Sequence, residues 1–372
     1  PVPTPGDHDL LVEIEAISVN PIDTKVRRRA GRQPDVPATM RAVGMTDSLP
    51  VDDPACLVDV EVPVPTPGDH DLLVEIEAIS VNPIDTKVRR RAGRQPDGHP
   101  KILGFDAVGT VRATGDATSR FQPGDRVFYA GDIRRPGTNA QFHVVDERLV
   151  GRAPTEISAV DAAALPLTSL TAWESLFDRM GANVDSNGTL LVLGGAGGVP
   201  SVLIQLARAL TGLTVIATAS REESEDWVLE MGAHDVVNHR RDLVDQVREI
   251  DPDGVDLVFS SWTTGREREL AEIMTPHGHL VLIDDPEGLD ITPFKQKSVA
   301  VHWESMFTRS SFGTADMEDQ GLALDRVADM IDDGRLSSTA NLHLRGLSAE
   351  TLREAHRRVE DGRLTGKLVV EF

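Results

Sequence analysis

The sequence predicts an α/β protein in which a doubly wound parallel sheet is joined to a β-rich domain. Three observations predict it. Thr189–Leu193 is a short apolar strand pattern that runs into Gly194-Gly195-Ala196-Gly197-Gly198, then into a helical pattern with Val202, Leu203, Leu206 and Leu210 on one face. Beyond it, the β-rich runs Leu213–Ala219, Asp235–His239, Val255–Phe259 and His279–Ile283 alternate with helical patterns, as parallel strands with crossover helices do. Before about Pro154 the helical period is missing, and short alternating runs are broken by Pro-Gly and Gly-Asp turns.

Taken in order, the chain begins with a duplication. Pro1–Asp35 and Pro63–Asp97 are identical letter for letter. Diverged structural repeats do not stay identical over such a length, so residues 1–39 read as a duplicated gene-start artefact, with the second copy in its natural place. The functional alternative is an extra strand, Asp9–Glu15, that pairs with a sheet edge or swaps between subunits. From Met40 the β-rich part includes Leu72–Ala78, Gly109–Gly115 and Pro123–Ala130. Ala162–Leu176 is helical in pattern and leads into the parallel-sheet domain. After about Glu304, helices are expected around Asp319–Asp333 and Ser348–Asp361, and Gly366–Phe372 closes the chain as a strand.

The glycine turn carries the first functional reading. Glycines let a backbone turn sharply and approach a pyrophosphate, which then sits on the helix N-terminus. The candidates are Gly195, Ala196, Gly197, Gly198 and Val199. The third glycine of the fingerprint falls at Pro200, where a ring adds bulk but a missing N–H in a first helical turn costs little. The next strand ends in Ala219-Ser220-Arg221, without the acid that would bond a ribose 2′-hydroxyl. Arg221 and Ser220 suit a 2′-phosphate, which points to NADPH; Ser220 also fits an N-cap, with Glu223 completing a capping box.

Net charge and composition exclude other classes. At −22 the chain repels phosphate backbones and anionic membranes, so neither nucleic acid nor a membrane is an expected partner. It carries no apolar run long enough to span a bilayer and no leader pattern, so a soluble cytoplasmic protein is expected. The single cysteine, Cys56, rules out an internal disulfide framework and a multi-cysteine zinc lobe. His277-Gly-His279 reads as a pair of strand-end histidines, and Asn187-Gly-Thr as a chance glycosylation triplet.

Several motifs in order carry a resemblance. They are Val81-Asn82-Pro83-Ile84-Asp85-Thr86-Lys87, Ile102–Gly109, Gly124–Val127, Asn139–Phe142, Ala164–Trp173, Gly194–Gly198, Ala217–Arg221 and Gly366-Lys367. From Met40 to Phe372 the chain resembles the medium-chain dehydrogenase/reductase superfamily, in its quinone-oxidoreductase branch. The resemblance implies a GroES-like β domain (40–165 and 306–372) and a Rossmann domain (166–305), with the active site in the cleft between them. It also implies a homodimer or homotetramer. The positions that hold zinc ligands in the zinc-dependent relatives are matched here by Asn82, Phe105 and about Leu167, none of which supplies a thiolate or imidazole. No metal site is therefore expected.

The implied reaction is hydride transfer from NADPH to a quinone or an α,β-unsaturated carbonyl. Such acceptors are already electrophilic and need mostly positioning. Asn82, Asp85 and Lys87 are expected on the substrate side. Asn82 is either a hydrogen-bond donor to the substrate oxygen or a buried structural amide. Lys87 either holds the oxyanion or faces solvent beside Arg89–Arg91, with Asp106 fixing Lys87, fixing Arg126 or meeting local backbone donors. Tyr129 is a candidate cleft donor, and the resemblance places Thr171 near the nicotinamide, Lys367 among the cofactor-binding residues and His239 near the adenosine phosphate. The alternatives are a zinc-type alcohol or aldehyde dehydrogenase, and a protein that binds NADPH without turnover.

Overall fold

The strand Thr189–Leu193 is buried at every position. That is the outcome expected of a continuous apolar run covered by helices on both faces. In a computed structural model that describes residues 36–96 and 99–372, this strand lies in the middle of a six-stranded sheet. The duplicated copy at residues 1–35 lies outside the described residues. Pro37–Phe372 form one unit.

In chain order the strands are β1 (Thr39–Met45), β2 (Val58–Pro63), β3 (Asp71–Val81), β4 (Lys101–Ile102), β5 (Asp106–Thr114), β6 (Arg126–Tyr129), β7 (Phe142–Asp146) and β8 (Val150–Arg152). They continue as β9 (Thr189–Leu193), β10 (Thr214–Ala219), β11 (Asp235–Asn238), β12 (Val255–Ser260), β13 (Met274–Leu282), β14 (Ala300–Trp303), β15 (Ala340–Arg345) and β16 (Lys367–Glu371). The six-stranded sheet has the order β11-β10-β9-β12-β13-β14, and every pairing in it is parallel. The β-rich sheet runs β15-β16-β3-β5-β6-β8, with β7 added beside β3, and a small sheet β2-β1-β4 stands next to it. This is the expected two-part architecture: a GroES-like β domain and a Rossmann-type parallel sheet.

The closing strand joins the two. β16 pairs with β3 of the β-rich sheet, and just before it the Gly366 N–H donates to the Ala196 carbonyl of the glycine turn at 2.8 Å. Of the late helices, Glu318–Asp332 and Ala349–Glu360 fall within a residue of the expected bounds. β14 and β15 were not anticipated, because each is short and neither is fully buried. The helix Pro166–Trp173 does not simply continue: residues Glu174–Arg179 widen into a π-helical turn. Among the described residues no helix is long and apolar enough to cross a membrane.

Candidate active site

The site is built where the parallel strands end. The turn after β9 places Gly197 as N-cap of the helix Gly198–Leu210, so the first-turn N–H groups face out of the sheet with no side-chain cap. Gly194 takes a left-handed φ of 70° that a side chain disfavours. The other glycines differ in what they leave room for. A Cβ at Gly195 would press on Ala217 and Val228 at 2.9 Å, and one at Gly198 would lie 2.7 Å from Lys367 Cδ. At Gly197 it would meet nothing closer than 3.4 Å. Gly195 and Gly198 serve packing, whereas Gly197 leaves an open cradle of the kind a phosphate needs. Pro200 is buried within the first helical turn, where its missing N–H removes no hydrogen bond within the helix.

A cavity of about 420 Å³ opens beside this turn. Its walls bring together Asn82, Lys87, Thr171, Gly197, Gly198, Val199 and Lys367 from the expected set. Asn82 and Lys367 belong to a buried polar network around Asp106. Asp106 Oδ2 accepts from Ser80 Oγ at 2.5 Å and Asn82 Nδ2 at 2.7 Å, and Oδ1 accepts the Leu167 N–H at 2.7 Å. Lys367 Nζ donates to Asn82 Oδ1 at 2.6 Å and to the Val81 carbonyl at 3.1 Å, and lies 3.6 Å from Asp106. Burial pulls the Lys367 ammonium below its usual range, while the Asp106 and Asp85 carboxylates pull it back. Lys367 thus turns its charge into the network and lays its aliphatic stem under Gly198. Thr171 spends its hydroxyl on the Leu167 carbonyl of its own helix.

Other expected residues stand elsewhere. Asp85 is buried and accepts the Asn82 N–H at 2.7 Å as part of a helix cap; burial pushes its carboxyl up to about 7. Lys87 is at the cavity rim, paired at 3.3 Å with Asp285 rather than with Asp106. Arg126 pairs with Glu77. Tyr129 is a correction: it is fully buried in the β-domain core, bonded to His143 Nδ1 at 3.1 Å, and does not line the cavity. Ser220 and Arg221 lie at the end of β10, and His239 just past the end of β11, so all three sit at the carboxyl ends of parallel strands, outside the cavity walls. The N-cap there is Arg221, whose N–H donates to Ser224 Oγ, so Ser220 does not cap the helix. The backbone turns one residue later than a Ser220–Glu223 box requires.

Residues that sequence reasoning missed follow the other strands. Ser261 follows β12, Asp284 and Asp285 follow β13, and Glu304, Ser305, Met306 and Phe307 follow β14; all line the cavity. The rule that ligands bind at the carboxyl ends of parallel strands was a usable signal for the first three, since β12 and β13 were legible. Near His239, Trp262 is half exposed and carries the Arg266 guanidinium 4.3 Å from its ring centre, while Arg266 also donates to the His239 carbonyl. The matched zinc-ligand positions hold Asn82, Phe105 and Leu167: an amide whose oxygen is already taken by Lys367, a phenyl ring and an aliphatic chain. That donor set does not fit zinc. Among the described residues no group of three or more His, Cys, Asp or Glu side chains is arranged to hold a metal.

Comparison with known proteins matches residues 68–155 to the alcohol dehydrogenase GroES-like domain and residues 231–370 to the zinc-binding dehydrogenase model. A zinc-type alcohol dehydrogenase-like protein of Staphylococcus epidermidis is 37% identical over 339 residues, covering 90% of this chain and all of the relative. Among solved structures, a Rhizobium etli CFN 42 protein provisionally named a zinc-dependent alcohol dehydrogenase is 48% identical with a TM-score of 0.87, covering 90% of this chain and 98% of that one. A quinone oxidoreductase of Pseudomonas syringae pv. Tomato DC3000 is 26% identical with a TM-score of 0.75, over 90% of this chain and all of its own.

Proposed function

Since the chain belongs to the zinc-type alcohol dehydrogenase-like proteins of the medium-chain dehydrogenase/reductase superfamily, we propose that it is a zinc-free, NADPH-dependent reductase of quinones or α,β-unsaturated carbonyls. The observation that carries the reading is the network around Asp106. Where a catalytic zinc needs three side-chain donors, this chain has Asn82 tied to Asp106 and Lys367, flanked by apolar side chains. Alcohol oxidation without a metal lacks the Lewis acid that such chemistry uses. An acceptor with a polarised double bond does not need one.

The residues present fit a dinucleotide. Gly197 leaves the cradle, the helix Gly198–Leu210 presents unbonded N–H groups, and Arg221, just past β10, would hold a 2′-phosphate. When bound, the nicotinamide supplies the hydride. The chain's own part is positioning. Thr168, Thr171 and Val199 form the floor on the cofactor side, and Ile84, Met306 and Phe307 enclose the acceptor and exclude water. One Nδ2 hydrogen of Asn82 is spent on Asp106, and the other is the donor offered to the acceptor oxygen. Lys367 holds the Asn82 amide in that orientation. At the rim Lys87, balanced by Asp285, favours the developing oxyanion without binding a carboxylate substrate tightly.

The test is the loss of NADPH absorbance with a quinone and with an enone on chelator-treated protein, repeated with NADH. Turnover that survives chelation and favours NADPH is the expected result. Turnover abolished by chelation and restored by zinc would establish a zinc-type alcohol dehydrogenase instead. Tight NADPH binding with no turnover on either acceptor would establish a binding protein.

A further inference from the structure

Around Glu304, in the cavity wall, lies a group of charges that the proposed reaction does not use. Glu304 follows β14, and Glu174 opens the π-helical turn; their side chains are 0% and 1% exposed. Arg179 Nε donates to Glu304 Oε2 at 2.7 Å. Glu174 Oε1 accepts from Arg309 at 2.9 Å and from Gln320 Nε2 at 2.8 Å. The remaining oxygens, Glu304 Oε1 and Glu174 Oε2, are buried without a donor, although the two carboxyls are in hydrogen-bonding reach of each other. With both carboxyls ionised, both of those oxygens stay buried without a donor. One proton between them satisfies both orphan oxygens.

We propose that Glu174 and Glu304 form an acid pair holding one proton, and that this pair positions Trp303–Phe307, the acceptor-side wall of the cavity. The connections run directly into that wall. The Glu304 N–H donates to the Leu282 carbonyl at 3.0 Å, and Gln320 Nε2 holds the Met306 carbonyl at 2.6 Å while bonding Glu174. The Phe307 ring stacks at a tilt on Phe105, 4.9 Å away. Trp303–Phe307 line the cavity together with Asn82 and Lys87. The pair rests on the reading of this cavity as the acceptor site, but its proton does not.

The sign of the pH response follows from the surroundings. Facing the pair are Arg179 and Asp178 on the π-helical turn, Arg309 on its own helix, and Asp316 and Asp319, which pair with Arg309 in turn. His302 on β14 bonds His279 at 3.2 Å, and burial, then the positive charges of His279 and Arg179, pull its imidazole below the usual range. Burial, then the Glu174 charge, pushes the Glu304 carboxyl up to about 9, well above its ordinary range. The ordered wall thus binds the proton more tightly than a loosened, solvated wall would. Its stability is greatest at low pH, falls as pH rises from the ordinary carboxylate range, and levels above about 9.

The experiment uses the full chain with E304Q, E174Q and E304A. Infrared spectra near pH 8 should contain the C=O stretch of a protonated carboxyl that is lost in both glutamine variants. Acrylamide quenching of Trp303, taken by difference against W303F, should increase with pH in the wild type and be flat in E304Q. With an acceptor, KM should rise with pH in the wild type but not in E304Q, and E304A should raise it by about tenfold while the Kd for NADPH moves by less than about twofold. An infrared band unchanged by either glutamine variant would overturn the shared proton. Equal losses in KM and NADPH Kd, or an unaltered pH profile in E304Q, would overturn the positioning role. If no acceptor turns over, the infrared and quenching results still decide the acid pair, and only the reaction assignment falls.

Discussion

Replacing Lys367 by Met tests the network at its charged centre. Methionine keeps much of the stem that passes Gly198 but removes the ammonium that bonds Asn82 and Val81 and faces Asp106. Taking one partner from a buried ion pair costs about 3–5 kcal/mol. Asp106 retains three donors, from Ser80, Asn82 and Leu167, so the lower end of that range, about 3 kcal/mol, applies. With an unfolding entropy of about 2.1 cal/mol/K per residue over the folded unit, that loss lowers Tm by roughly 4 °C. The assay is thermal unfolding of wild type, K367M, D106N and the double variant. K367M should melt lower, and adding D106N should recover part of the loss, because a neutral amide no longer needs a cation. A K367M protein that melts with the wild type, or a double variant that simply adds the two losses, would refute the ion-pair reasoning.

The other predictions separate packing from binding. Gly197→Ala should melt like the wild type, since its Cβ meets nothing closer than 3.4 Å, yet weaken NADPH binding by about tenfold or more in a fluorescence titration. Gly198→Ala should instead cost the roughly 1–3 kcal/mol of an overpacked site and so lower Tm, because its Cβ would fall on Lys367. Asp85, raised to about 7, makes stability fall with rising pH from its ordinary range to about 7 and level beyond; Asp85→Asn should remove that slope in urea unfolding followed across pH. Arg221→Ala should narrow the ratio of kcat/KM for NADPH over NADH while leaving the chelator response unchanged.

How much of this was legible before any coordinates depended on what each residue answers to. The parallel sheet was readable because Thr189–Leu193 is buried at every position and carries an apolar run, and Val255–Phe259 is apolar and buried at all but Asp256. The late helices were readable from their period and their caps, Ser348 among them. β15 was not, since its inward positions alternate with polar residues over only six residues and the pattern competes with that of a loop. Tyr129 was misjudged because a tyrosine in an alternating strand has equal claim to either face, and its partner His143 lies on a strand that pairs elsewhere. Asn82 and Lys367 were found by motif, but their bond to each other joins residues 285 positions apart. The Glu174–Glu304 pair had no local signal at all, as its two halves acquire meaning only when the π-helical turn and the end of β14 meet.

The bond from Gly366 to Ala196 has a further consequence, one of timing. The glycine turn is synthesised long before Gly366 and Lys367, and domains generally fold as they leave the ribosome, N-terminal part first. The parallel sheet has all its strands once Trp303 has emerged, but the Ala196 carbonyl still lacks its partner and Asp106 its cation. Both are supplied by the adjacent residues Gly366 and Lys367. The Ala196 carbonyl and Asp106 therefore gain their partners together, once Gly366 and Lys367 have emerged. A nascent chain halted before Gly366 would hold a formed parallel sheet and an unfinished active site.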